Sequence, residues 1–183
     1  MATKETELVS RLMEPATRER AFAELVRQYQ EPLYWKIRHF IFSHEDANDV
    51  LQNTFLKAWT HMDQFRNESK LTTWLHRIAV NESLDFLRRQ KKTTVAGSEA
   101  VASLSERLMA DQYFNGDRAQ ALLLEAVSTL PEVQRMVFTL RYFDDMHYAE
   151  MSQLLHTTEG ALKASYHLAV KKITTFIQNH QDD

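Results

Sequence analysis

The chain has 183 residues, with 22 Lys and Arg against 25 Asp and Glu, no cysteine, and only three glycines and three prolines. The lack of cysteine excludes disulfides, thiolate metal sites and cysteine nucleophiles together, and it fits a reducing cytoplasm. A net charge of −3 argues against a free-standing nucleic-acid binder, which usually carries an excess of cations.

Scarce glycine and proline predict long helices joined by few turns. No apolar run approaches the roughly 18 residues that span a bilayer. The opening segment Met1-Ala2-Thr3-Lys4-Glu5-Thr6-Glu7 lacks the apolar core of a signal peptide. A soluble, cytoplasmic protein without membrane insertion is expected. The charge is uneven: residues 10–93 hold 14 basic and 11 acidic side chains, residues 94–117 one and four, and residues 118–183 six and eight.

Taken in chain order, the first half reads as a helical bundle. Phe22, Leu25, Val26 and Tyr29 recur at helical spacing, and Leu33, Ile37 and Phe40 continue the pattern across Pro32. Ala47, Val50, Leu51, Thr54, Phe55, Ala58, Trp59 and Met62 then form a wide apolar stripe. Asp46 and Asp49 fall in or beside its first turn, where the helix dipole favours negative charge. After a polar stretch, Ser69 is the expected N-cap of a helix carrying Leu71, Trp74, Leu75 and Ile78 and running to about Gln90. Residues 93–117 are small and polar at one end and hold Gly116 at the other. They read as a flexible linker with room for a short helix around Leu104–Tyr113.

From Arg118 the helical pattern returns. A short helix ends near Leu130, and Pro131 suits the first position of the next, which packs through Val133, Met136, Val137, Leu140 and Tyr142 or Phe143. The turn Asp144-Asp145 leads to a helix over Tyr148–Leu155. His156-Thr157-Thr158 then precedes a final helix from Glu159 to about Gln178, anchored by Leu162, Tyr166, Ala169, Val170 and Ile173. No segment alternates at period two, so the expected class is all-α.

Two constellations bear on function. A short helix, a tight turn and a longer helix is the helix-turn-helix layout, with Thr158 as cap and Glu159, Lys163, Ala164, His167 and Lys171 exposed. By pattern alone an ordinary helical hairpin fits equally well. Arg77, Asn81, Asp85, Arg88 and Lys92 form one polar stripe, with Phe65, Arg66 and Trp74 nearby. Aromatic rings beside cations suit unstacked bases, although a solvated face beside core aromatics gives the same pattern. The chain has no H-E-x-x-H, Gly-rich phosphate loop or G-x-S-x-G, so neither catalytic residues, a metal nor a cofactor is expected.

Both constellations fit one family. DANDVLQNTFLKAW (46–59) resembles the core-polymerase-binding helix of bacterial sigma factors. FRNESKLTTWLHRIAVNESLDFLRR (65–89) resembles the promoter-melting segment of their extracytoplasmic-function (ECF) group, and the segments between Leu130 and Lys172 resemble that group's −35-binding domain. The GALKASYHLAVKK variant is similar to the Bacteroidetes type. The resemblance implies a region 2 bundle over 10–92, a linker over 93–117 and a region 4 helix-turn-helix over 118–180. It implies that Asp49, Gln52, Asn53, Leu56 and Lys57 bind the β′ clamp of RNA polymerase, the β flap being a further contact. The loop with Phe65, Arg66, Ser69, Lys70 and Thr72 would hold a flipped −10 base, with Trp74, Arg77, Asn81 and Arg88 supporting melting. Lys163, Ala164, His167 and Lys171 would face the −35 groove, and backbone amides at Glu159 and Gly160 would hold phosphate. Promoter DNA, core polymerase and an anti-sigma factor are the implied partners. Three features depart from the common pattern. His156 replaces a turn glycine, Ser165, Leu168 and Val170 occupy a helix where relatives carry several Arg, and Asn53 stands where Glu is common. The rival readings are an autonomous helix-turn-helix regulator and an adaptor of helical hairpins.

Overall fold

The computed structural model describes residues 2–65, 69–93, 103–111, 114 and 116–181, and every regular element among them is helical. The chain divides into two compact units, Met1–Val95 and Ala96–Asp183.

The first unit contains α1 (Ala2–Met13), α2 (Arg18–Arg38), α3 (His44–Thr60) and α4 (Leu71–Thr93), with a 3-10 turn at Met62–Gln64. The bundle expected from residue 10 begins earlier, because α1 packs on α2 through buried Leu8, Val9 and Leu12. Fully burying one such side chain contributes roughly 1.5–3 kcal/mol. These three therefore outweigh the partly exposed Arg11–Glu24 ion pair at 2.7 Å, a type worth about 0–1 kcal/mol. Helix α2 runs through Pro32, which lies on its exposed side. The buried face of α2 is Ala21, Leu25, Tyr29, Leu33 and Ile37. Ser43 caps α3 by accepting from the Asp46 amide at 3.3 Å.

The start of α4 differs from expectation. The first helical bond runs from the Trp74 amide to the Lys70 carbonyl at 3.1 Å, so Lys70, not Ser69, stands at the cap position. The Leu71 amide donates to the Glu5 carboxylate of α1 at 2.7 Å. The acceptor lies 66 residues away in sequence, so no local pattern announces it. Its charge also suits the positive end of the helix.

In the second unit, α5 (Leu104–Ala110) falls inside the stretch expected to be linker. Ser103 and Glu106 form a complete capping box. Leu108 is buried, and the Ser105 hydroxyl and amide both donate to Glu125 of α6 (Arg118–Ser128). Residues 94–102, and Tyr113 at the end of the helix expected there, lie outside the described residues.

Helix α7 (Glu132–Tyr142) follows Pro131, which is the N-cap and not the first helical residue. Its core face is Met136, Val137, Phe138, Thr139 and Leu140. Two expected anchors are exposed, Val133 at 53% and Tyr142 at 55%. Of the expected alternatives Tyr142 and Phe143, Phe143 is the half-buried one, and both rings pack on Phe138, at 5.0 Å for Tyr142 and 6.1 Å for Phe143. Helices α8 (Tyr148–Leu155) and α9 (Glu159–Gln181) complete the unit, with α9 packed on α6, α7 and α8. The seam of α9 is Leu162, Ala169 and Ile173, with Tyr166 partly covered. Val170 is 38% exposed, because the step from 169 turns it off that seam.

The α8–α9 turn depends on His156, at φ 52° and ψ 45°. The amides of His156 and Thr157 both donate to the Ser152 carbonyl, closing the helix in the left-handed manner usual for glycine. Thr158 then caps α9 by accepting from the Ala161 amide at 3.3 Å. A side chain in this region costs roughly 1–2 kcal/mol, while glycine loosens the unfolded chain. His156→Gly should therefore stabilise the second unit by up to about 1 kcal/mol and His156→Val should destabilise it, as read from urea midpoints.

Burial pushes His39 and His76 of the first unit from 6.5 down to about 4, and Lys36 adds repulsion to both. Unfolded histidines take up protons near pH 6.5 that the folded ones refuse until pH is about 4. Their contribution is therefore fully present above pH 6.5 and is lost as pH falls toward 4. The melting temperature should drop across the upper part of this window, and His39→Gln/His76→Gln should flatten the drop. An equal slope in both proteins would sink this assignment.

Candidate functional site

In the first unit, one face of α3 and one face of α4 meet along an open groove. Asp49, Gln52 and Asn53 of α3 are exposed, Leu56 is 59% exposed, and none belongs to the buried face of Ala47, Val50, Thr54 and Ala58. Asn53, Leu56 and Lys57 line a groove of about 530 Å³ with Glu82, Asp85, Arg88 and Arg89 of α4. A second hollow of about 280 Å³ is lined by Lys57, His61, Gln64, Trp74, Arg77, Ile78, Asn81 and Glu82. The two share Lys57 and Glu82. The structure thus gathers residues of the expected polymerase set and the expected −10 set onto one α3/α4 surface. Asp49 and Gln52 lie on the same helix outside both hollows.

Within this surface Arg77, Asn81 and Arg88 are exposed, and Arg88 pairs with Asp85 at 3.2 Å. Trp74 is partly covered and packs against Phe65, ring centres 5.3 Å apart. Phe65 is only 5% exposed. Its ring therefore faces inward beside Trp74 and is closed to stacking on a base, contrary to the sequence expectation. Ser69 and Lys70 are exposed and Thr72 is half-buried, at or beside the first turn of α4. Arg66 lies outside the described residues, as does the Lys92 side chain.

Glu82 escaped the sequence reading. It is 4% exposed and its carboxylate accepts from Lys57 Nζ. The signal was its register: it stands seven residues after Leu75, in the column of the helix that faces the core. A charged residue in an apolar column is either paired or costly. Removing Lys57 would strand the buried carboxylate, which costs about 3–5 kcal/mol, whereas removing Glu82 leaves only a half-exposed ammonium.

In the second unit, Glu159, Gly160, Lys163, Ala164, His167 and Lys171 are all exposed on α9. Glu159 and Gly160 occupy its first turn, where amides have no partner within the helix. A Cβ on Gly160 would meet nothing within 4 Å, so the backbone is open to approach there. Lys163 is placed by Glu159 at 3.4 Å and by the Tyr148 ring at 5.5 Å. Arg141 lies 5.5 Å from the same ring. Tyr166 rests 5.8 Å from Phe138 on the inner side of the helix, and burial pushes its hydroxyl up, with help from Tyr148 and Tyr142 and opposed by Arg141. Leu168, 47% exposed, leaves the outer face less cationic than a phosphate-binding helix usually is. Among the described residues no three His, Asp or Glu side chains form a group that could hold a metal.

Comparison with known proteins covers both units. The family model for sigma-70 region 2 matches residues 25–93, and the model for sigma-70 region 4 matches residues 120–173. The ECF RNA polymerase sigma factor SigW of Bacillus subtilis is 29% identical over 157 residues, covering 80% of this chain and 83% of that protein. The ECF RNA polymerase sigma-E factor of Escherichia coli K12 is 29% identical over 169 residues, covering 87% and 88%. In fold, the chain is similar to the sigma factor RpoE solved with the anti-sigma factor NepR from Bartonella quintana, with a TM-score of 0.63 at 20% identity, covering 86% of this chain and 96% of that one. CnrH, solved with the cytosolic domain of CnrY, gives 0.62 at 22% identity, covering 96% and 97%. The two family models, in order and each on its own compact unit, show that the chain belongs to the extracytoplasmic-function group of the sigma-70 family of RNA polymerase sigma factors.

Proposed function

We infer that the chain is a sigma subunit that directs core RNA polymerase to particular promoters and helps open the −10 region. The observation that carries this reading is the α3/α4 surface, on which exposed Leu56 and Asn53 adjoin Trp74, Arg77, Asn81 and Arg88. In it residues 10–92 act as region 2, residues 93–117 as the connection with α5 folded onto α6, and residues 118–180 as region 4. Asp49, Gln52, Asn53, Leu56 and Lys57 form the ridge that meets the β′ clamp. Asn81 offers both a donor and an acceptor to a base edge, while Arg77 and Arg88 attract the displaced strand. Opening then needs no catalytic group: capture of an unpaired base offsets the few kcal/mol of its unstacking. In the second unit Lys163, Ala164, His167 and Lys171 face the −35 groove, with a phosphate at the Glu159–Gly160 end of α9.

The same reading places the protein in the cytoplasm, supported by the absence of cysteine. No described helix is long and apolar enough to cross a membrane. An anti-sigma partner follows by analogy with the RpoE–NepR pair. GALKASYHLAVKK supports a place among Bacteroidetes-type variants.

In vitro transcription tests the reading directly. Core enzyme plus this protein should initiate at specific genomic promoters, and failure on every genomic fragment would refute it. Asn81→Ala should bind core normally yet open promoters about 5- to 150-fold less well, the range for one lost base contact of about 1–3 kcal/mol. Lys171→Ala should weaken promoter binding by the holoenzyme and lower its salt slope by about one.

A further inference from the structure

We propose that Glu82 is a positioning residue for promoter opening: its buried carboxylate holds Lys57 and locks the polymerase-facing ridge of α3 to the DNA-facing surface of α4. The inference rests on the sigma-subunit reading and assigns a role to a residue outside the expected site. Three observations carry it.

First, Glu82 is 4% exposed, and its ion-pair partner among the described residues is Lys57. Second, the pair is asymmetric, with side-chain exposures of 5% for Glu82 and 50% for Lys57. The carboxylate is therefore fixed in the helix interface and reaches outward to hold the ammonium. Third, both hollows of the surface are lined by this pair. It sits where the groove with Asn53, Leu56 and Arg88 meets the hollow with Trp74, Arg77 and Asn81. The half-exposed Lys57 is thereby held against α4, and the ridge presents Leu56 and Asn53 in a fixed relation to Asn81.

Burying a carboxylate is a poor way to gain stability, since an apolar residue of similar volume is often as good or better. That sets a test separating positioning from mere stabilisation. Glu82→Leu removes the pair without leaving a buried charge, and Glu82→Gln serves as a second neutral variant. Glu82→Asp keeps the charge within reach of the long Lys57 side chain. Holoenzyme is assembled from the full chain and core polymerase. Core affinity, permanganate reactivity of the −10 region at saturating core, and the melting temperature are measured for each protein. Glu82→Leu should melt at or above the wild-type temperature and bind core within about twofold, yet open promoters about tenfold more slowly, as expected for sub-ångström misplacement of a binding group. Glu82→Asp should recover most of the rate. Wild-type opening by Glu82→Leu, or a loss that simply follows a lowered melting temperature in both neutral variants, would overturn the proposal. If wild-type holoenzyme itself opens nothing, the sigma-subunit reading falls first.

Discussion

Helix α4 must bury one face and keep another in water along the same 23 residues. Leu71, Leu75, Ala79 and Leu84 are inside, and the helix packs on both α2 and α3. At 3.6 residues per turn, Arg77 and Asn81 stand about 200° from Leu75 and Ala79 respectively, so sealing the core aims them outward. The exposed face that carries Arg77 and Asn81 is thus a by-product of core packing. Whatever fixes the roll of α4 fixes the direction of Asn81. Three contacts do so: the apolar seam itself, Glu5 on the Leu71 amide, and Glu82 on Lys57.

Periodic features were legible in the sequence. The buried face of α3, the bounds of α8, the cap at Thr158 and the outward set on α9 follow from helical spacing and from side-chain chemistry that acts within a few residues, although Trp59, expected in the α3 stripe, is 40% exposed. The place of His156 in the turn came from the resemblance, which puts a glycine there, and histidine is among the residues that enter the left-handed region more readily. Features that depend on distant partners were not legible. Glu5 caps a helix 66 residues away, α5 gains its place from Glu125, and Phe65 is closed off by Trp74. Val133, Tyr142 and Val170 mark a different limit. An apolar residue near the edge of a stripe turns inward or outward according to the neighbour it meets, and of the alternatives Tyr142 and Phe143 it is Phe143 that turns partly inward, onto Phe138.

Glu82 shows how such information sits in a sequence without being read. The surrounding pattern marks its position as buried, and a lone Glu there looks like noise in the stripe. Its meaning appears only when α3 supplies a cation at the same height. A charged residue in an apolar column is therefore a pointer to a partner on the next helix, and here that helix carries the opposite half of the α3/α4 surface.

The charge distribution completes the argument for a divided protein. Residues 118–183 carry six basic against eight acidic side chains, and the outward face of α9 offers Lys163, His167 and Lys171 beside apolar Ala164 and Leu168. Affinity for duplex DNA grows with the number of phosphates neutralised, so a helix with so few cations binds weakly on its own. Tethering changes that balance. Once another part of the same assembly is held on DNA, the second contact becomes intramolecular, at an effective concentration that can reach the millimolar range for a short linker. A weak reader then adds specificity while remaining unable to occupy promoters alone. The low cation count of α9 is therefore a physical reason for the −35 site proposed for it to be used only within the polymerase complex.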